Sequence, residues 1–160
     1  MADRAAELVR LFSQHRLTFG AAESLTAGMI AAAVANVSGA SEVLMGGIVA
    51  YDPRVKHDLL GVEQSIIDTV GVVSAECACQ MAQGARKALH VDVAVSATGV
   101  AGPTGGTPEA PVGTVFIGVS CAKETRAEEC HFTGDRQSVR EQSVQHALEM
   151  ALDCLMQYHP

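Results

Sequence analysis

Leu17-Thr18-Phe19-Gly20-Ala21-Ala22-Glu23-Ser24-Leu25-Thr26-Ala27-Gly28 is the stretch on which the fold turns. Residues 17–23 read as a short strand. From Thr26 to Asn36 the chain runs through small residues that suit a helix, and Val37-Ser38-Gly39 stops it. A strand that hands directly to a helix is the building unit of a layered α/β domain. The same alternation spreads outward from it. Upstream, Ala5, Leu8, Val9, Leu11 and Phe12 recur at helical spacing and predict an amphipathic helix over 2–16. Downstream, residues 43–51 are apolar around Gly46-Gly47 and read as a buried strand ending at Tyr51. Asp52-Pro53 opens a helix with proline at its first position, running to Leu60 and closed by Gly61. A further helix is predicted over 63–70, and Ser74 is a suitable N-cap for one over 75–89. Residues 91–98 alternate in part and read as a strand, followed by a long Gly/Pro/Thr loop over 99–111. Two strands, 113–122 and 126–133, form a hairpin, and 135–157 closes the chain as a long amphipathic helix. Helices alternating with strands predict an α/β class, and the hairpin makes the central sheet mixed. No repeat, low-complexity tract or linker interrupts the chain, so 1–160 reads as a single domain.

Composition narrows the partners. The 160 residues are 48% apolar, enough for a sizeable core, and the formal net charge is −7. That field repels a polyanion, and six aromatic residues with no Trp offer few stacking faces, so nucleic acid is not expected. No run reaches the roughly 18 consecutive apolar residues of a membrane span. Asp3, Arg4, Glu7 and Arg10 interrupt the first 16 residues, which therefore read as a helix and not a signal peptide. The five cysteines are odd in number and lack a C-x-x-C pair, which reads as reduced thiols in the cytoplasm. The six histidines are scattered, so neither a metal nor another cofactor is expected.

Four segments carry candidate chemistry. At the strand-to-helix handover, Ser24 stands where free N–H groups, those of residues 25–26, could hold an oxyanion. The plainer alternative is that Ser24 or Thr26 only caps the helix. In Tyr51-Asp52-Pro53-Arg54-Val55-Lys56, Lys56 can act as a general base if burial or a nearby cation lowers its pKa; otherwise it is a solvated lysine. His57 is the rival base, but adjacent helical positions point about 100° apart, so the two do not share one site. The loop Ser96-Ala97-Thr98-Gly99-Val100-Ala101-Gly102-Pro103-Thr104-Gly105-Gly106 follows a strand and could present N–H groups and hydroxyls to an anion. It matches neither a Walker A motif nor a dinucleotide fingerprint. Gly134-Asp135-Arg136-Gln137-Ser138-Val139-Arg140 opens the last helix with Asp135 as N-cap. Arg136 and Arg140 share a helical face suited to a phosphate, or are ordinary surface arginines.

In order and content these segments resemble the CinA C-terminal domain family, whose standalone members are nicotinamide-nucleotide amidases. The resemblance runs from about Leu8 to Leu155. Ala-Glu-Ser-x-Thr-x-Gly matches residues 22–28, and Gly-x-x-x-Tyr with a following Lys matches Gly47, Tyr51 and Lys56. Ser-x-Thr-Gly-x-Ala-Gly-Pro matches 96–103, Pro-Val-Gly-Thr-Val matches 111–115, and Gly-Asp-Arg-x-x-Val-Arg matches 134–140. The chain differs from many members at Ala27, Pro53-Arg54 and Ala110, positions often held by Gly, Asn-Glu and Lys. Larger members carry a further N-terminal domain, and with this chain opening on Met1 no activity of that domain is expected. The resemblance implies a three-layer α/β/α fold and a homo-oligomer. It implies hydrolysis of the carboxamide of nicotinamide mononucleotide, a small-molecule nucleotide substrate, to nicotinic acid mononucleotide and ammonia. It assigns Ser24 as nucleophile, Lys56 as base and Tyr51 beside them. Substrate contacts fall on Thr26, Gly28, Ser96, Thr98, Gly99, Gly102, Arg136 and Arg140. The alternative is a non-catalytic nucleotide-binding or regulatory module of the same family.

Overall fold

The computed structural model describes residues 2–158. In chain order the elements are α1 (Ala2–His15), β1 (Phe19–Glu23), α2 (Met29–Ala35), a 3-10 turn (Ala40–Glu42), β2 (Leu44–Val49), α3 (Pro53–Leu60) and α4 (Gln64–Thr69). They continue with α5 (Ala75–Leu89), β3 (Val93–Gly99), β4 (Thr114–Ser120), β5 (Thr125–His131) and α6 (Arg136–Tyr158). The strands form one sheet in the order β2-β1-β3-β4-β5. β1 pairs in parallel with β2 and β3, whereas β4 runs antiparallel to β3 and β5. The sheet is mixed because a hairpin, not a crossover helix, adds its last two strands.

Strand periodicity sorts the side chains into two cores. Phe19, Ala21, Val93, Val95, Ala97, Val115 and Ile117 pack with α1, α2 and α6 on one face. Ala22 and Ala94 point the other way and pack with α3 and α5. The result is three layers, α/β/α. Ser96 and Thr98 share the α5 face of β3, where Ser96 Oγ donates to Ala78 O at 2.6 Å and Thr98 Oγ1 donates to Val72 O at 2.8 Å. Two glycines bring α5 in close. A Cβ at Gly118 would lie 2.5 Å from Ala78 O, and one at Gly84 would lie 1.9 Å from Leu60 O. The second contact seats α3, and with it Lys56, against α5.

Two expectations need correction. The helix expected from Thr26 starts later: Ala27 (φ 47°) and Gly28 (φ 98°) both adopt left-handed backbone, so α2 begins only at Met29. β2 is not a buried strand but the sheet border, paired only with β1, and Met45 and Val49 on it are 45% and 49% exposed. Asp52 and Ser74 act as the N-caps read for α3 and α5, accepting from Arg54 N and Cys77 N. Among the described residues no helix is long and apolar enough to cross a membrane.

Candidate active site

The parallel strands β2, β1 and β3 all end on one side of the sheet, where ligands of open α/β sheets usually bind. The chain after β1 carries Ser24, the chain after β2 carries Tyr51 and leads into Lys56, and β3 ends in Thr98-Gly99. Residues far apart in sequence therefore meet around a cavity of about 270 Å³ lined by Ser24, Tyr51, Lys56, Thr98, Arg136 and the loop from Gly99 to Gly105. A larger hollow of about 420 Å³ is lined by Arg86, Lys87, His90, Ser120 and Thr125. Its hydroxyls bond each other and it holds no nucleophile beside a base, so the chemistry points to the smaller cavity.

Lys56 is 1% exposed, although lysine is rarely buried. Its Nζ donates to Ser24 Oγ at 2.9 Å, to Ala50 O at 2.8 Å and to Tyr51 O at 3.2 Å. Burial pushes the ammonium below its ordinary range, and the neighbouring Cys77 and Asp52 pull the other way without cancelling that shift. Burial also raises the Cys77 thiol to about 11, so at neutral pH it carries no charge and offers the lysine no counter-ion. Of the two causes considered, burial acts and no nearby cation does. His57, the rival base, sits on the exposed side of α3 and donates from Nδ1 to Val62 O at 2.8 Å.

Ser24 is not the helix cap. The N-terminal N–H groups of α2 are taken by Glu23, whose fully buried carboxylate accepts from Gly28 N (3.0 Å), Ile30 N (3.0 Å) and Ala31 N (2.9 Å). Short polar side chains can cap a helix, but here the left-handed pair turns the chain so that Glu23 reaches the helix start first. Glu23 has no role among the sequence-based expectations. Its signal was a lone carboxylate at the end of an otherwise small, apolar strand. Glu23→Ala should strand these donors and lower unfolding stability by about 3 kcal/mol or more, measurable by urea denaturation. Around Ser24, its own N–H donates to Ala97 O and Ala27 N donates to Ser24 O. Among the described residues the N–H groups of Leu25 and Thr26 donate to no protein acceptor.

The remaining expected contact residues divide. Thr98, Gly99, Gly102 and Arg136 line the cavity. Arg136 donates to Gly102 O at 2.8 Å and to the Tyr51 hydroxyl at 3.2 Å, tying the loop to the exposed Tyr51 ring. Thr26, Gly28, Ser96 and Arg140 do not line it. Thr26 is fully buried with its Oγ1 unpartnered, Gly28 serves Glu23, and Ser96 holds α5. Arg140 reaches Leu25 O at 2.8 Å and Thr26 O at 3.3 Å, so it faces the Ser24 turn and does not share a phosphate with Arg136. Among the described residues, the N–H groups of Ala101, Gly102, Thr104 and Gly105 have no protein acceptor, and these four residues line the cavity.

The three-layer α/β domain thus places a serine hydroxyl 2.9 Å from a buried lysine amine at its parallel strand ends. The chain belongs to the CinA C-terminal domain family, whose profile matches residues 1–155. A CinA-like protein of Thermotoga sp. is 46% identical over 142 residues, which cover 89% of this chain and 35% of that protein. The chain spans about a third of the length of the curated relatives it matches. Among solved structures, the competence/damage inducible protein CihA of Agrobacterium tumefaciens superposes with a TM-score of 0.93 at 36% identity, covering 96% of this chain and 94% of that one. A CinA superfamily protein of Klebsiella pneumoniae gives a TM-score of 0.93 at 26% identity, covering 98% of each chain.

Proposed function

We propose that the protein hydrolyses the carboxamide of nicotinamide mononucleotide, with Ser24 as nucleophile and Lys56 as general base. The observation that carries this reading is the 2.9 Å contact between Ser24 Oγ and a fully buried lysine whose affinity for a proton is lowered. In the neutral amine, two N–H bonds remain for Ala50 O and Tyr51 O, and the lone pair is left for the serine hydroxyl. Lys56 takes the hydroxyl proton as Ser24 Oγ attacks the amide carbon. The Leu25 and Thr26 N–H groups are the available donors for the oxyanion. The tetrahedral adduct collapses as Lys56 passes the proton to the leaving nitrogen, and ammonia departs. Water then attacks the ester, Lys56 taking and returning a proton, to release the acid and free Ser24. The test is ammonia release from nicotinamide mononucleotide by the purified chain; none from the wild type, against full release by an authentic amidase, rejects the reading.

The phosphate supplies binding energy remote from the amide. Arg136 and the unpaired N–H groups of Ala101, Gly102, Thr104 and Gly105 are its donors in this proposal. Nicotinamide riboside, lacking the phosphate, is expected to show kcat/KM lower by about 10- to 100-fold, the worth of one charge-assisted hydrogen bond. Arg136→Ala should lose most of its activity on the nucleotide and little on the riboside. Equal kcat/KM for the two substrates in the wild type would remove the phosphate site.

A further inference from the structure

We propose that Arg140 is a positioning residue that fixes the oxyanion-binding peptides of the Ser24 turn, and is not a ligand of the substrate phosphate. The inference rests on the amidase reading above. Arg140 belongs to the early turns of α6, more than a hundred residues from Ser24 in sequence, yet its fork spans two successive carbonyls. Nε donates to Leu25 O at 2.8 Å and Nη2 donates to Thr26 O at 3.3 Å, while Nη1 reaches Gln137 Oε1 at 3.4 Å. Three of its five N–H donors are engaged and the side chain lies outside the cavity lining, which leaves it poorly placed to hold a substrate.

What the fork does follows from peptide geometry. The Leu25–Thr26 bond is trans, and in a trans peptide the carbonyl and the N–H point in opposite directions. Drawing Leu25 O onto the guanidinium turns the Thr26 N–H away from α6. The preceding peptide is fixed by Ala27 N donating to Ser24 O at 3.1 Å, which sets the Leu25 N–H in the same way. The two donors without a protein acceptor are therefore those whose planes are held from behind. The turn needs such a hold because Ala27 and Gly28 both take left-handed backbone and no helical ladder stiffens residues 24–28. Glu23 anchors its downstream end through the N–H groups of Gly28, Ile30 and Ala31. Arg140 anchors the part that carries the donors. A cation on a carbonyl also polarises its peptide and makes the linked N–H a stronger donor.

Steady-state kinetics on nicotinamide mononucleotide separate the roles. Arg140→Ala is expected to lower kcat about 100-fold with KM changed by less than about threefold, the size of losing one oxyanion donor. Arg140→Lys, with one point donor in place of a fork, should fall between. Guanidinium ion at low millimolar concentration should restore part of the Arg140→Ala rate. A raised KM at unchanged kcat, absent with the riboside, would make Arg140 a phosphate ligand and overturn the proposal. So would a loss that tracks a collapsed melting temperature and resists rescue. Should the wild type release no ammonia, the amidase reading fails by itself. Arg140 is then judged by amide hydrogen exchange in the free protein. The Thr26 amide should exchange at least about tenfold faster in Arg140→Ala, and an unchanged rate refutes its positioning role.

Discussion

Lys56→Arg is expected to be as inactive as Lys56→Ala, with kcat reduced about 10³-fold, while His57→Ala keeps activity within about twofold of wild type. The arginine retains charge and hydrogen bonds but does not give up a proton at working pH, so it cannot be the base. His57 is spared because its ring is on the exposed side of α3 and its Nδ1 is committed to Val62 O. The same assignment dictates a pH profile. Burial lowers the proton affinity of Lys56, and only the neutral amine accepts the Ser24 proton. The rate should therefore rise with pH through the depressed lysine value and level off above it. Stability follows the same sign. The unfolded lysine holds its proton to about pH 10.4, whereas the folded one releases it earlier. Over that interval the unfolded state binds more protons, so wild-type stability increases with pH, and Lys56→Ala loses that slope. An active Lys56→Arg enzyme beside a dead His57→Ala enzyme would give the base role to histidine.

Ser24→Ala is expected to abolish amide hydrolysis, by about 10⁴-fold or more in kcat, and to leave the melting temperature nearly unchanged. Losing a helix cap would cost about 1 kcal/mol and spare turnover. That bland outcome is not expected, because Glu23 and not Ser24 receives the N–H groups of α2. The hydroxyl bonds Lys56, which keeps Ala50 O and Tyr51 O as acceptors when Ser24 is truncated. Thermal melts with an ammonia assay on the same preparations check both halves. A variant that turns over like wild type would remove Ser24 from the mechanism.

The α/β class was legible in the chain because it depends on periodicity and punctuation, which are local. Pro53 at a first helical turn, Gly61 past a last one, Ser74 at an N-cap and the partial alternation over 91–98 act through neighbours a few residues away. The serine, the lysine and the glycine loop were legible as candidates for a similar reason: the serine and the loop sit at junctions of two local elements, and the lysine follows one by a helical turn.

Their roles were not legible, since a side chain's role depends on what lies opposite it. Lysine at position 56 reads equally as a surface ammonium; only the docking of α3 on α5 through Gly84 and the end of β2 buries it against Ser24. Arg136 and Arg140 are indistinguishable as two arginines one turn apart. Packing of α6 across the sheet sends one to Gly102 and Tyr51 and the other to the carbonyls of Leu25 and Thr26. The start of α2 was misread because Glu23 competes for its N–H groups only after the left-handed turn at Ala27-Gly28 brings them within reach. Sequence alone thus determined the order and kind of the elements, through contacts short along the chain. The tertiary structure decided which hydroxyl meets which amine and which arginine faces the cavity, because those bonds join residues separated by 32 to 115 positions.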